Sequence, residues 1–128
     1  MQRKMIFRVS IYALSSGRLP SGVAVVRLSG PHTKSALVAM AGSVPEPRVM
    51  RFVTIRRADG ILLDRGLVAF FPGPGIFTGE DSGVFHLHGG RAVVAAVLEA
   101  VGAIEGFRHA EPGEFSRRAF LNGKIDLS

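Results

Sequence analysis

The chain has no cysteine, a single tyrosine and no apolar run near the roughly 20 residues of a spanning helix. Without cysteine there is no disulfide scaffold, which fits a reducing compartment. The opening MQRKMIFRVSIYALSSG faintly imitates a signal peptide, but Arg8 breaks its apolar patch and the segment reads better as a first strand. A cytoplasmic location is the expectation. No glycine is followed by the Lys-Ser or Lys-Thr of a phosphate-binding loop, and the Gly73-Pro74-Gly75 run puts proline where backbone donors would be needed. A nucleotide-hydrolysing site is therefore not expected here. Basic residues form no block and do not interleave with aromatic ones as in an RNA-recognition surface.

What is present points to one folded domain. Its 128 residues are 47% hydrophobic, enough for a single modest core. Sixteen basic residues face ten acidic ones for a net charge of +6, and thirteen of the sixteen are arginine. The guanidinium fork suits carboxylate and phosphate, so an anionic ligand or RNA is permitted, with a solvated basic surface as the plainer reading.

The unusual residues concentrate in Phe70–Gly90, FFPGPGIFTGEDSGVFHLHGG. A glycine- and proline-rich loop, a short strand and Gly89-Gly90 lead into a helical pattern starting at Arg91. Glycine allows close backbone approach and a helix start presents free N–H groups, so this is a plausible ligand cradle. His86 and His88 alternate as two metal ligands on a strand would, but no third ligand stands at a recognisable spacing. Ordinary hydrogen-bonded histidines are the preferred reading, and no metal site is expected.

Taken in order, Met5–Leu14 and Val23–Leu28 read as strands. Arg27 is the odd residue in the second, a cation on an otherwise apolar strand that needs a carboxylate or a ligand. Ser29-Gly30-Pro31 predicts a helix start, with Ala36, Leu37, Met40 and Ala41 as its apolar stripe and Gly42 as its stop. Val49–Arg57 and Ile61–Phe71 predict a hairpin turning at Ala58-Asp59-Gly60. Gly83–His88 is a further strand. Val93, Val94, Val97, Leu98 and Val101 are the buried side of a helix from Arg91 that Gly102 closes. Pro112–Phe115 opens a last helix that runs to Leu121 and stops at Asn122-Gly123. Asp126-Leu127-Ser128 looks like the cap of another, so the chain is expected to be a fragment.

The runs Ser15–Pro31 (SSGRLPSGVAVVRLSGP), Phe71–Asp81 (FPGPGIFTGED), His86–Gly90 (HLHGG) and Glu111–Ser128 (EPGEFSRRAFLNGKIDLS) resemble, in order and spacing, the N-terminal domain of the MnmE (TrmE) family of tRNA-modification GTPases. The likeness covers the chain from about Ile11 to its end. It implies an α+β fold, a two-layer mixed β-sheet with packed helices, similar to the tetrahydrofolate-binding domain of the glycine-cleavage aminomethyltransferase. Residues 1–123 would be a folate-binding and dimerisation domain, and 124–128 the start of a truncated helical domain. Family members work as homodimers with a flavin-dependent partner protein, modifying the wobble uridine of tRNA with a one-carbon unit from tetrahydrofolate. GTP, Mg and K belong to a GTPase domain that this chain lacks, so no complete catalytic site is expected within it.

The same resemblance carries three positions over to 5-formyl-tetrahydrofolate binding. Arg27 matches the arginine of the strand before Ser-Gly, and Lys124 the lysine of the Asn-Gly-Lys segment. The third is a glutamate four residues before the histidine that precedes Gly-Gly, and here that position is Val84. A pterin edge offers an amino group and a ring N–H side by side, which a carboxylate accepts and valine cannot. Each unpaired buried donor costs roughly 1–3 kcal/mol. The alternative is thus a structural dimerisation domain with impaired folate binding. Plainer roles also exist: Arg27 as the ion-pair partner of Glu80, Asp81 or Glu114, Lys124 as a surface lysine, and Glu114 with Arg118 as an i, i+4 helix pair. Glu80 is expected on the strand face of Val84, about 13 Å away at roughly 3.3 Å per residue. Ile76 stands where relatives often carry serine.

Overall fold

A computed structural model describes residues 7–15, 23–74 and 78–123. The elements run β1 (Ser10–Leu14), β2 (Ala24–Ser29), α1 (Thr33–Ala41), β3 (Arg51–Arg56), β4 (Leu62–Phe71), β5 (Ser82–Leu87), α2 (Arg91–Gly102), β6 (Phe107–His109) and α3 (Glu114–Leu121). The strands form one sheet in the order β3-β4-β5-β2-β1-β6. All its pairs are antiparallel except β1 with β6, so the fold is α+β with a mixed sheet.

Period-two alternation gives the sheet two distinct faces. Ala24, Val26 and Leu28 of β2, Phe85 and Leu87 of β5 and Val68 and Phe70 of β4 enter one core. Against them pack Ala36, Leu37 and Met40 of α1 and Val94, Val97, Ala100 and Val101 of α2. Fully burying each such valine is worth roughly 1.5–3 kcal/mol, so this face carries most of the stability. The expected apolar stripes are those observed, with Ala41, Val93 and Leu98 partly buried at the margin and Ala100 added.

Sequence and structure differ at several ends. β1 begins at Ser10, because Phe7–Val9 are not extended; Met5 and Ile6 lie outside the described residues. Pro31 and His32 form a turn, and α1 starts at Thr33, whose hydroxyl donates to the Gly30 carbonyl at 2.8 Å. Gly42 stops α1 in the left-handed conformation, with φ 87. The β3–β4 hairpin turns where Ala58-Asp59-Gly60 predicts. β6 has no strand-like alternation over its three residues; Ser10 N–H to Gly106 O at 2.7 Å and Ala110 N–H to Tyr12 O at 2.9 Å tie it to β1. The second face is not bare either, since Phe115 of α3 packs over Arg27 there. Among the described residues, no helix is long and apolar enough to cross a membrane.

Candidate functional site

The register sets Arg27 of β2 directly opposite Val84 of β5, and Val84 opposite Ala69 of β4. Ala13 of β1 faces Arg27 from the other side. Residues directly paired across a sheet share a face, so Ala13, Arg27, Val84 and Ala69 form one row on the side away from the main core. Arg27 and Val84 are therefore neighbours, with Cβ atoms about 5 Å apart by ordinary strand geometry. Ala69 is fully buried and Ala13 half-buried. Phe115 of α3 meets Arg27 from above, its ring centre 4.4 Å from the guanidinium carbon. Burial in this position lowers the Arg27 pKa from its ordinary value, since desolvation disfavours the charged form.

A buried ionic cluster holds α3 in place. Arg118 is 2% exposed; its Nη1 donates to Glu80 Oε2 at 2.8 Å and its Nη2 to Glu114 Oε2 at 3.4 Å. Ser29 Oγ donates to the same Glu80 oxygen at 2.7 Å, with Thr78 Oγ1 at 2.8 Å from Ser29. Glu114 in turn receives a bidentate contact from Arg108 of β6 at 2.6 and 2.5 Å. One helix is thereby tied to β2, to the segment before β5, and to β6. At its far end Asn122 Nδ2 donates to the Thr78 carbonyl at 2.7 Å. Gly79, with φ +81, allows this approach, because an added Cβ would sit 2.7 Å from that of Asn122.

The bonds from Arg108, aided by the Glu111 N–H and by Arg118, pull the Glu114 pKa down from 4.5 to about 2. A carboxylate whose folded value is depressed stabilises fully above its unfolded pKa and loses that contribution as pH falls through the folded one. Half-exposed Arg108 is screened by solvent, so the worth is on the order of 1–2 kcal/mol. Urea unfolding of wild type should therefore show that loss between about pH 5 and pH 2. Glu114→Gln should be less stable at neutral pH and flatter across this window; an unchanged slope would remove Glu114 from the acid response.

Of the three positions carried over by resemblance, Arg27 and Val84 are brought together, while Lys124 lies outside the described residues, as does Ile76. Of the acids considered as partners of Arg27, Glu80 is engaged by Arg118 and Glu114 by Arg108 and Arg118. Asp81 accepts the Gly73 N–H at 2.9 Å. Glu80 precedes β5, in a bend, and its carboxylate turns inward to Ser29 and Arg118. Glu114 and Arg118 do pair across one helical turn, as part of the larger cluster. Arg108 and Ser29 were not legible as functional, since neither stands at a telling distance from Glu80 or Glu114 in sequence. His86 shares the face of Val84, paired with Val25 and Leu67, whereas His88 is exposed and donates its backbone N–H to Asp64 at 2.9 Å. Among the described residues no three His, Cys, Asp or Glu side chains gather as a metal site would require.

A family model described as "GTP-binding protein TrmE N-terminus" matches residues 10–124. Curated relatives named tRNA modification GTPase MnmE are similar along nearly the whole chain. That of Mesorhizobium japonicum is 59% identical over 123 residues, covering 96% of this chain and 28% of the relative. That of Rhizobium meliloti is 56% identical over 123 residues, with the same coverage. That of Azorhizobium caulinodans is 60% identical over 120 residues, 93% of this chain and 28% of the relative. The chain thus spans little more than a quarter of the curated relatives it matches. With its Arg27 strand, its Thr78–Asp81 segment and its α3 all inside the matched region, it belongs to the TrmE N-terminus family, the N-terminal domain of tRNA modification GTPases.

Proposed function

We propose that this chain is the tetrahydrofolate-binding and dimerising module of a tRNA-modification GTPase acting on wobble uridine. GTP, Mg and K, and the flavin-dependent partner, belong to the longer protein, whose substrate is tRNA. The supporting observation is the row that sets desolvated Arg27 beside Val84 under Phe115. A partly desolvated cation beside an aromatic ring suits an anionic or carbonyl oxygen of a reduced folate. Lys124, two residues beyond Asn122, supplies a second cation in this reading. The acceptor side fits less well: Val84 offers the pterin no carboxylate. When bound, folate supplies a one-carbon unit; the chain's own residues hold and orient it.

Calorimetric titration with 5-formyl-tetrahydrofolate tests the reading. Wild type should bind with a dissociation constant in the micromolar to millimolar range, and Arg27→Ala should weaken binding at least tenfold, about 1.4 kcal/mol. Equal binding by the two proteins would remove Arg27 from the site.

Dimerisation is expected from the same module, since Val9, Val23 and Phe120 leave apolar surface exposed. Sedimentation at tens of micromolar should give about twice the 13.7 kDa chain mass. A clean monomer would count against the interface.

A further inference from the structure

We propose that the β3–β4 edge of the sheet is a docking surface for the phosphate backbone of RNA; the choice of RNA rests on the tRNA-modification reading above. Among the described residues β3 is the outermost strand, so one side of its backbone has no neighbour within the sheet. Residues 48–65 carry Arg48, Arg51, Arg56, Arg57 and Arg65 against Asp59 and Asp64, a net +3, which is half the charge of the chain. Arg57 is neutralised by Asp59, and Asp64 is turned to the backbone N–H groups of His88 and Gly89. Among the described residues, Arg48, Arg51 and Arg65 make no side-chain ion pair, and all three are exposed.

The arrangement is elongated, as a polyanion requires. Arg51 and Arg56 stand at the two ends of β3, about 16 Å apart at roughly 3.3 Å per residue. That length covers about five phosphates of one duplex strand at roughly 3.4 Å each. Both line a groove of about 410 Å³ between β3 and the end of α1. On the other face Phe52, paired with Leu67, is 63% exposed, and Arg65 lies on its diagonal, paired with Thr54. An exposed ring beside cations is a platform on which an unpaired base can stack. Full antiparallel overlap of two β3 strands would set Arg51 opposite Arg56 of the other copy, a repulsive pairing that disfavours a second copy in that register.

The test is fluorescence anisotropy of a labelled tRNA transcript with the 128-residue chain at several salt concentrations. Affinity should fall with salt at a slope matching about three to four phosphate contacts. The double variant Arg51→Gln/Arg65→Gln should weaken binding at least tenfold and lower the slope by about two contacts. Arg8→Gln/Arg117→Gln, matched in charge and also exposed, should change affinity less than threefold. Phe52→Ala should weaken binding about five-fold or more with little change in slope. Equal losses in the two double variants would reduce the effect to net charge and overturn the proposal. Binding to duplex DNA of equal length that matches tRNA, with the same losses, would overturn the RNA assignment. A change in sedimentation mass without a change in RNA affinity would make the edge a contact between copies, and the proposal would fall. Folate titration of the same double variants keeps the two readings apart: unchanged folate binding beside failed RNA docking leaves the module reading intact.

Discussion

Arg118→Met should destabilise the domain by about 3–5 kcal/mol, a large part of the roughly 5–15 kcal/mol by which such domains are stable. The melting temperature should drop by more than about 10 °C. Methionine keeps an unbranched apolar stem of similar reach, so contact with Phe7, now 4.4 Å from the guanidinium carbon, is largely retained. What disappears is the counter-charge. Glu114 keeps Arg108, but Glu80, 9% exposed, is left with only the Ser29 hydroxyl among its present side-chain partners. An uncompensated buried carboxylate accounts for most of the loss. One control follows from this. Adding Glu80→Gln to Arg118→Met should recover more than half of the deficit, because a neutral amide can still accept from Ser29. Urea unfolding measures all three proteins. A single variant within about 1 kcal/mol of wild type would mean that the cluster only offsets its own desolvation. The buried Arg118 Nε, which finds no partner among the described residues, is a cost already carried by the native cluster.

The course of the chain was legible where one face of an element is apolar and a breaker ends it. Val93 to Val101 announce α2 because the 3.6-residue period repeats over two turns, and Gly42 announces the end of α1 because the left-handed conformation there favours glycine. β6 was missed because three residues, Phe107–His109, carry no period; its pairing with β1 is a long-range choice that local pattern does not encode. The same limit applies to the site. Arg27 attracted notice as a cation in an apolar strand. Its neighbour across the sheet follows from a register that only the assembled β2–β5 pair defines. The Glu80–Arg118 contact joins residues 38 apart in sequence, so the i, i+4 spacing of Glu114 and Arg118 suggested a helix-surface pair where a buried cluster exists. The resemblance to a family supplied the site positions; the fold adds which of them share a face.

Val84→Glu should tighten 5-formyl-tetrahydrofolate binding by roughly tenfold or more. The new carboxylate would enter the row between Arg27 and Ala69, on the face closed by Phe115. It would meet Arg27 across the strand pair before any ligand arrives, a contact worth roughly 0.2–1 kcal/mol by itself. That neighbour keeps the glutamate ionised and oriented, and a carboxylate has about four acceptor sites, so capacity remains for two pterin donors. Each charge-assisted bond gained at a partly buried position is worth about 1.5–3 kcal/mol, and ordering the longer side chain offsets part of it. Arg27→Ala in the Val84→Glu background should reverse most of the gain, because it removes one ligand contact and also leaves the glutamate without its counter-charge. Calorimetry on wild type, both single variants and the double variant at one salt concentration decides the matter, with thermal unfolding to confirm that each is folded. If wild type binds as tightly as Val84→Glu, another group reads the pterin edge; His86, two residues along the same face of β5, is then the first to replace. If none of the four proteins binds while sedimentation still gives a dimer, the domain serves assembly alone and the folate reading is wrong for this chain.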